Sequence, residues 1–307
     1  MSPDEAAATP PDPAAPGTEA AIVARGLARV YRGGLGWRRR EALRSVDLEV
    51  RRGETIGVVG PNGSGKSTLL RLIAGVDRPS GGSVLVLGHP PSARAVRRRL
   101  AFLPDGSPFP EELSGRRVLD LIGSLAGTPA RERRGRIERM LERVGLSGAG
   151  EAPIRSYSRG MHRRLGLAQA FLSEPDVVLL DEPTAGLDAP GFTVLADLLA
   201  EAEGRGATVV LASHVASDLI DHCDRLALLG AGEVRRVGTP DELLGDPDLV
   251  ELRVRGLDPD GVGRLGAQLG ATGAELVDAR PAHRSLSDLY RTLDGAAPEA
   301  PPEDGAP

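Results

Sequence analysis

The chain has 307 residues, of which 40% are hydrophobic and 26% charged, and its formal net charge is -5. This composition is typical of a globular protein with a large core and gives no general attraction to nucleic acid or anionic lipid, so we expect no nucleic-acid partner. The single cysteine, Cys223, excludes an intrachain disulfide and favours a reducing compartment. The acidic N-terminus lacks the pattern of a signal peptide, and no apolar run approaches the ~20 residues of a membrane-spanning helix.

Both ends of the chain, residues 1–20 and 296–307, are rich in Pro and Ala and have the composition of disordered tails. Between them, strand-like apolar segments alternate with longer helical patterns, which predicts an α/β fold with a mainly parallel, buried sheet. The predicted strands lie at residues 54–60, 83–88, 177–181 and 208–213.

The segment GPNGSGKST joins the first of these strands to a predicted helix that ends near Gly75. Its glycines let backbone N–H groups surround an anion, and the helix N-terminus adds its positive dipole end at the same point. Of the 38 lysine and arginine residues in the chain, Lys66 is the only lysine and all the others are arginine. A lysine at this position is explained by a tight phosphate pocket, which a compact ammonium enters and a planar guanidinium fits poorly. We therefore predict a loop that holds the β- and γ-phosphates of a nucleotide, formed by Gly60, Pro61, Asn62, Gly63, Ser64, Gly65, Lys66, Ser67 and Thr68.

From about residue 94 to 173, apolar residues at helical spacing alternate with arginines, and no clear strand is visible. A helical subdomain inserted between two strands is the simplest interpretation, with Ser114 as the cap of one helix. A small C-terminal α/β unit is predicted at residues 241–295, either as a regulatory or dimer-spanning unit or as a stabilising cap. Its strand candidates and its helix candidate lie at residues 249–254, 274–279 and 285–293.

An acidic pair, Asp181 and Glu182, follows the apolar strand VVLL. Beside a phosphate loop, the Ser67 hydroxyl would contact Mg²⁺ and Asp181 would hold the same ion through a water. Glu182 would then polarise a second water for attack on the γ-phosphate. Acidic residues also follow buried strands for solubility alone, but next to this loop the pattern favours ATP with Mg²⁺ as cofactor.

Four segments, in this order, resemble the nucleotide-binding subunit of ATP-binding-cassette (ABC) transporters over about residues 22–244. They are GPNGSGKST, then YSRGMHRRLGLAQA, then VVLLDEPTAGLD, then LASHVASDLIDHCDRLALLGAGEV. The resemblance implies a P-loop ATPase core at residues 21–240. It also implies that two cassettes face each other head to tail, with each ATP between the phosphate loop of one and the signature loop of the other.

The segment YSRGM lies where the resemblance places that signature loop. Ser158 and Gly160 occupy the Ser and the second Gly of the usual L-S-G-G-Q, whereas Tyr157, Arg159 and Met161 differ from it. A serine hydroxyl and the N-terminus of the following helix remain to face a phosphate. The assignment of Ser158 and Gly160 to ATP binding is therefore kept.

Four further residues gain a role from the resemblance. His214 corresponds to a histidine that reaches the γ-phosphate, and Asp188 to the loop that contacts the partner cassette. Tyr31 corresponds to an aromatic that stacks on adenine, although an aromatic at a strand end also suits a core. Asp105 stands where the family usually has a glutamine that links Mg²⁺ to the helical subdomain. A carboxylate still binds the ion, but its shorter reach and its negative charge put in doubt the usual positioning of water and the coupling to a partner protein.

The resemblance implies an ATPase that works as a homodimer on a separate transmembrane permease, peripherally at the cytoplasmic face of the cell membrane. The segments YSRGM, PTAGLD and SLSDLYRTLDG are similar to those of two-component bacterial exporters of drugs, antibiotics or polysaccharides. A lipoprotein, haem-related or nutrient system with the same cassette is one alternative. A soluble ABC ATPase of translation or DNA maintenance is the other, although the tandem cassettes, coiled-coil inserts or zinc modules usual in that class are missing from the sequence.

Overall fold

The protein is described by a computed structural model at residues 20–32, 39–106, 109–215, 222–245, 258–271 and 276. The chain divides into two compact units after Leu243, and the predicted boundary lies slightly earlier, at residue 240. The strand and helix candidates at 249–254, 274–279 and 285–293 lie mostly or wholly outside the described residues, as do both predicted tails except Ala20, which begins a strand.

A six-stranded sheet forms the centre of the larger unit, in the order β5-β6-β7-β3-β8-β9. The first five strands in this order are parallel, and β9 pairs antiparallel with β8. Every residue of β3, β6 and β7 is buried, as expected for apolar strands covered on both faces. The predicted mainly parallel sheet is confirmed. The strands are β3 (Thr55–Val59), β5 (Leu100–Leu103), β6 (Val177–Asp181), β7 (Thr208–Ser213), β8 (Arg225–Gly230) and β9 (Glu233–Gly238).

A second, antiparallel sheet has the order β2-β1-β4 and consists of β1 (Ala20–Arg32), β2 (Arg39–Arg51) and β4 (Gly81–Val86). Ile22 in its central strand lies opposite Val50 on one side and Val86 on the other. The segment at 83–88 is thus a strand, but it does not belong to the parallel sheet, because its hydrogen bonds go to β1. Strand content is visible in a single sequence, whereas the pairing partner is set by distant residues.

The predicted helical subdomain contains α3 (Gly115–Ala126), α4 (Ala130–Arg143) and α5 (Arg159–Phe171). Its interior joins Leu119, Leu141 and Leu165 in one apolar cluster. Ser114 caps α3 as predicted, because its side chain accepts a hydrogen bond from the Arg117 N–H at 3.4 Å. The expectation that no strand lies within 94–173 is wrong, since β5 pairs with β6 at the edge of the central sheet.

The remaining helices follow the strands or lie near the C-terminus. α1 starts directly at the glycine-rich segment, and the chain turns away at Gly75 with φ +70°, a conformation that favours glycine. No helix in the described ranges is long and apolar enough to cross a membrane. These helices are α1 (Lys66–Ile73), α2 (Arg94–Arg97), α6 (Ala189–Gly204), α7 (Pro240–Leu244) and α8 (Pro259–Ala271).

Candidate functional site

The carboxyl ends of four neighbouring parallel strands meet at one edge of the central sheet. Asp105 follows β5, Asp181 ends β6 with Glu182 next to it, His214 follows β7, and the loop that starts at Gly60 follows β3. In open parallel sheets this edge is the usual location of a ligand. The topology therefore brings together residues that are far apart in the sequence.

A cavity of about 360 Å³ opens at this edge. Most of the predicted phosphate loop lines it, together with three further residues predicted to act in catalysis or metal binding. The predicted residues in its wall are Asn62, Gly63, Gly65, Lys66, Ser67, Thr68, Asp105, Glu182 and His214. Predictions from four separate sequence segments thus describe one concave site.

The phosphate loop packs so closely on its neighbours that two of its positions have no room for a side chain. A Cβ on Gly60 would lie 2.1 Å from the Leu229 carbonyl oxygen. A Cβ on Gly65 would lie 2.5 Å from the Leu43 side chain, and Gly65 also has φ +113°. Glycine is therefore required at both positions for steric reasons, and at Gly65 for conformational reasons as well.

Lys66 begins α1 and is only 6% exposed. Its Nζ donates to the Gly60 carbonyl oxygen at 2.7 Å and to the Pro61 carbonyl oxygen at 3.4 Å. The same Nζ lies 3.6 Å from Glu182 Oε1. The one lysine of the chain thus points over the loop and forms a buried ion pair with the predicted catalytic carboxylate.

Glu182 lies between two partners, because its second carboxylate oxygen is 2.9 Å from His214 Nδ1. Its backbone has φ +47°, a left-handed conformation that costs a non-glycine residue about 1–3 kcal/mol. The Glu182 N–H still donates to the Ala212 carbonyl oxygen at 2.8 Å, which ties the residue to β7. The strained turn directs the carboxylate into the cavity beside Lys66 and His214.

Asp181 is 2% exposed, and its Oδ1 has no hydrogen-bond partner within the described part of the chain. Burial raises the pKa of this carboxyl, the nearby Asp105 and Glu182 charges act in the same direction, and a hydrogen bond with Ser67 and the charge of Lys66 oppose them. A buried carboxylate oxygen without a donor, beside a hydroxyl and a second carboxylate, suits a hard cation with oxygen ligands. The donor set fits Mg²⁺.

The predicted signature residues form a second cluster that does not line the cavity. Ser158 caps α5 by accepting a hydrogen bond from the Met161 N–H at 3.2 Å. Gly160 lies close to Asp188, since a Cβ there would be 2.7 Å from Asp188 Oδ2. Asp188 in turn caps α6 and pairs with Arg164 at 3.4 Å. Ser158, Gly160 and Asp188 are therefore neighbours, separate from the phosphate loop of their own chain.

Tyr31 is not among the residues that line the cavity. Its hydroxyl donates to Asp77 at 2.6 Å, and the Arg29 guanidinium carbon lies 4.6 Å from its ring centre. Its cross-strand neighbour Arg40 does line the cavity and was missed as a site residue. The sequence contains no local signal for this role, because the pairing of the two strands is what places Arg40 next to Tyr31. Adenine stacking on Tyr31 stays a prediction.

Arg163 is the other residue missed from the sequence. It lies on α5, is 6% exposed, and donates to main-chain carbonyl oxygens around Asp181 and Glu182. Burial lowers the pKa of its guanidinium, and the charges of Asp105, Asp181 and Glu182 act in the opposite direction. The sequence did offer one signal, since this arginine lies next to the apolar face of the helix that includes RGM. A charged side chain is costly to bury there, so its presence indicates a specific hydrogen-bonding role.

The chain has a glycine-rich loop between a buried parallel strand and a helix, and an acidic strand end lies beside that loop. This combination defines the class of P-loop nucleotide-binding proteins. Comparison with known proteins makes the assignment narrower. The family model described as "ABC transporter" matches residues 43–185. The Streptomyces coeruleorubidus protein named daunorubicin resistance ATP-binding protein DrrA3 is 38% identical over 261 residues, which cover 83% of this chain and 82% of that protein. The chain belongs to the ABC transporter family of ATP-binding proteins.

Other relatives agree with this assignment. An uncharacterised ABC transporter ATP-binding protein of Synechocystis, sll0415, is 37% identical over 79% of this chain and 70% of its own length. Among solved structures, the ATP-binding cassette MJ0796, in a dimeric post-hydrolysis state bound to ADP and Pi, matches with a TM-score of 0.65 and 26% identity. That match covers 71% of this chain and 98% of the cassette. The protein is an ATP-binding and ATP-hydrolysing subunit of an ABC transporter, and the alternative of a soluble ATPase of translation or DNA maintenance is not favoured.

Proposed function

We propose that the chain energises a separate membrane permease that exports a drug-like or antibiotic-like molecule, as a homodimer at the cytoplasmic face of the membrane. The observation that carries the export part of this proposal is the 38% identity, over 83% of this chain, to a protein named for daunorubicin resistance. The aligned region of 261 residues is longer than the segment 22–244 that carries the cassette motifs, so more than those motifs supports the similarity. Polysaccharide export remains the second expectation from the sequence.

Nucleotide binding is assigned to the phosphate loop from Gly60 to Thr68. Its backbone N–H groups and the N-terminus of α1 would surround the β- and γ-phosphates, with Lys66 as the local positive charge. Tyr31 would stack on the adenine ring. Stacking needs a planar partner and little else, so it adds affinity without demanding a particular base.

Magnesium is assigned to three oxygen-bearing side chains, those of Ser67, Asp105 and Asp181. Ser67 and Asp105 line the cavity, and Asp181 offers the buried oxygen without a partner. When bound, Mg²⁺ would neutralise charge on the phosphates and hold them in a fixed orientation. Asp105 in place of the usual glutamine adds a negative charge to this set, so the ion would meet a more acidic site than in typical relatives.

Hydrolysis is assigned to Glu182 as the group that accepts a proton from the attacking water, and His214 as the group that contacts the γ-phosphate. The 2.9 Å contact between His214 Nδ1 and Glu182 Oε2 keeps both groups on the same side of the cavity. The carboxylate is 12% exposed, so solvent competes little for it. Both residues follow the ends of rigid, buried strands, which favours a fixed geometry.

The separation of the two clusters within one chain supports dimerisation, as does the dimeric state of the similar cassette MJ0796. Ser158, Gly160 and the N-terminus of α5 would contact the ATP held by the phosphate loop of the partner, with Asp188 next to them. ATP would then bridge the two cassettes, and hydrolysis would release them. This cycle of closing and opening would drive the permease.

The first test isolates the tagged full-length chain from detergent-solubilised membranes of its own host, in parallel with a strain that carries the tag alone. Recovery of a protein with several membrane spans, absent from the tag-only control, is the expected result. Recovery from the cytosol alone, with no such protein, would refute the permease part of the proposal.

The export part is tested in a host that lacks this chain. Wild-type chain, but not Glu182→Gln, is expected to restore resistance to an anthracycline and to lower its accumulation in the cell. If the Glu182→Gln variant restored efflux, export would not require ATP hydrolysis through Glu182. Unchanged accumulation with both chains, across anthracyclines and other antibiotics, would refute export of this class of molecule.

A further inference from the structure

Arg163 contacts both loops that carry the acidic residues of the phosphate cavity. Its Nη2 donates to the Asp181 carbonyl oxygen at 2.8 Å and also to that of Glu182. Its Nε donates to the Pro183 carbonyl oxygen at 3.4 Å, and its Nη1 to the Pro104 carbonyl oxygen at 3.2 Å. All four acceptors are main-chain atoms, three in succession from the last residue of β6 onward and one immediately before Asp105.

The chain leaves the sheet at this point, so regular sheet pairing no longer serves the whole segment, although the Glu182 carbonyl oxygen also accepts from the Ala185 N–H at 3.1 Å. β6 ends at Asp181, and Glu182 then adopts its left-handed conformation, φ +47°. A buried carbonyl outside the sheet requires a hydrogen bond from another source. The guanidinium has donors in a fixed, planar fork, so one side chain satisfies several carbonyls and also fixes their relative directions.

The same helix carries the signature cluster. Ser158 is the N-cap of α5, and Arg163 lies on that helix. The adjacent Arg164 pairs with Asp188, so two neighbouring arginines attach α5 to the beginning and to the end of the segment 181–188. A shift of the α5 N-terminus would therefore act on the carbonyls next to the Glu182 carboxylate.

We propose that Arg163 is a positioning residue that orients Glu182 for hydrolysis and links the signature helix to the phosphate cavity of the same chain. It holds the Glu182 backbone in the conformation from which the carboxylate contacts Lys66 and His214. It touches neither the nucleotide nor the water itself. This inference rests on the role proposed above for Glu182.

The test compares Arg163→Met, Arg163→Lys and Glu182→Gln in the full-length chain. Methionine retains a flexible apolar stem without donors, whereas lysine retains the charge but has one nitrogen in place of the fork. Arg163→Met is expected to lower kcat by about 10- to 100-fold, with KM for ATP changed by less than about threefold. Arg163→Lys is expected to restore part of the lost turnover. Arg139→Met, at an exposed position on α4, is the matched control and should leave both constants unchanged.

Single-turnover rates of the double variant Arg163→Met with Glu182→Gln separate positioning from general structural damage. If Arg163 acts through Glu182, the double variant hydrolyses ATP no more slowly than Glu182→Gln alone. Losses that add in the double variant, or an Arg163→Met chain with wild-type kcat, would overturn the inference while leaving the role of Glu182 intact.

Binding of a fluorescent ATP analogue and thermal unfolding show whether each variant is folded. If Arg163→Met does not fold, Arg163→Lys decides the question, and wild-type turnover in that variant overturns the inference. Rapid turnover by Glu182→Gln would refute the proposed role of Glu182 itself and, with it, the role of Arg163. The two failures are therefore distinguishable.

Discussion

Replacing Asp181 by asparagine is expected to stabilise the nucleotide-free protein and to weaken its response to Mg²⁺. The Asp181 side chain is 2% exposed and its Oδ1 has no partner in the described part of the molecule. A buried polar group without a hydrogen bond costs about 1–3 kcal/mol, and a charged group more than a neutral one. Asparagine keeps the shape and an acceptor for Ser67 but removes the charge. We therefore expect a gain of about 1–2 kcal/mol in the free energy of unfolding at pH 7.

The gain should depend on pH in a defined direction. Burial raises the pKa of Asp181 above its value in the unfolded chain, so the folded protein loses stability as pH rises through that raised pKa. Above it, the carboxylate is charged and the full cost is present. The advantage of Asp181→Asn is therefore complete only above that raised pKa. It shrinks as pH falls through the raised pKa toward the ordinary pKa of an aspartate.

The assay is thermal unfolding of both chains in EDTA, at pH 7 and at pH 5, and again with ATP and Mg²⁺. For a unit of this size 1 kcal/mol corresponds to about 2–4 °C in Tm. Asp241→Asn, at an exposed position in α7, is the matched control and should change stability by less than about 0.5 kcal/mol. ATP with Mg²⁺ should raise Tm less in Asp181→Asn than in the wild type. A lower Tm for Asp181→Asn in EDTA at pH 7, or an equal response to Mg²⁺, would refute the reasoning.

Three further predictions concern the phosphate loop and its neighbours. Lys66→Arg keeps the positive charge but replaces the compact ammonium, which lies 2.7 Å from the Gly60 carbonyl oxygen. ATP binding measured by titration should therefore weaken at least about tenfold, and wild-type affinity would contradict this prediction. Glu182→Gln should bind ATP, turn over about 100-fold more slowly and elute as a dimer with ATP in gel filtration, whereas a monomer with rapid turnover would disprove it. Gly60→Ala brings a methyl group to 2.1 Å from the Leu229 carbonyl oxygen. The free energy of unfolding, measured with urea, should fall by about 1–3 kcal/mol. An unchanged urea midpoint would argue against the tight packing.

The phosphate loop and the acidic strand end were predictable because their chemistry is local. Nine consecutive residues from Gly60 supply both the loop and the start of α1, and Asp181 and Glu182 directly follow an apolar strand. Such patterns need no knowledge of distant contacts. The same holds for Ser114, whose cap involves a residue in the next turn.

Features that depend on distant partners were not predictable in the same way. β5 has only four residues and is recognisable as a strand mainly through its pairing with β6. β4 has an ordinary strand sequence but joins the antiparallel sheet. Arg163 bonds to main-chain carbonyls of other segments, and any residue type supplies a carbonyl, so the acceptors leave no pattern in the sequence.

The contact between Lys66 and Glu182 has a consequence for nucleotide exchange. The buried ammonium of Lys66 has a carboxylate 3.6 Å away, so its charge is already paired within the protein. An incoming phosphate would have to compete with that carboxylate for Lys66. The affinity for ATP would then reflect the difference between the attraction of Lys66 for phosphate and its attraction for Glu182. The net affinity is then weaker than the attraction of lysine for phosphate alone would give.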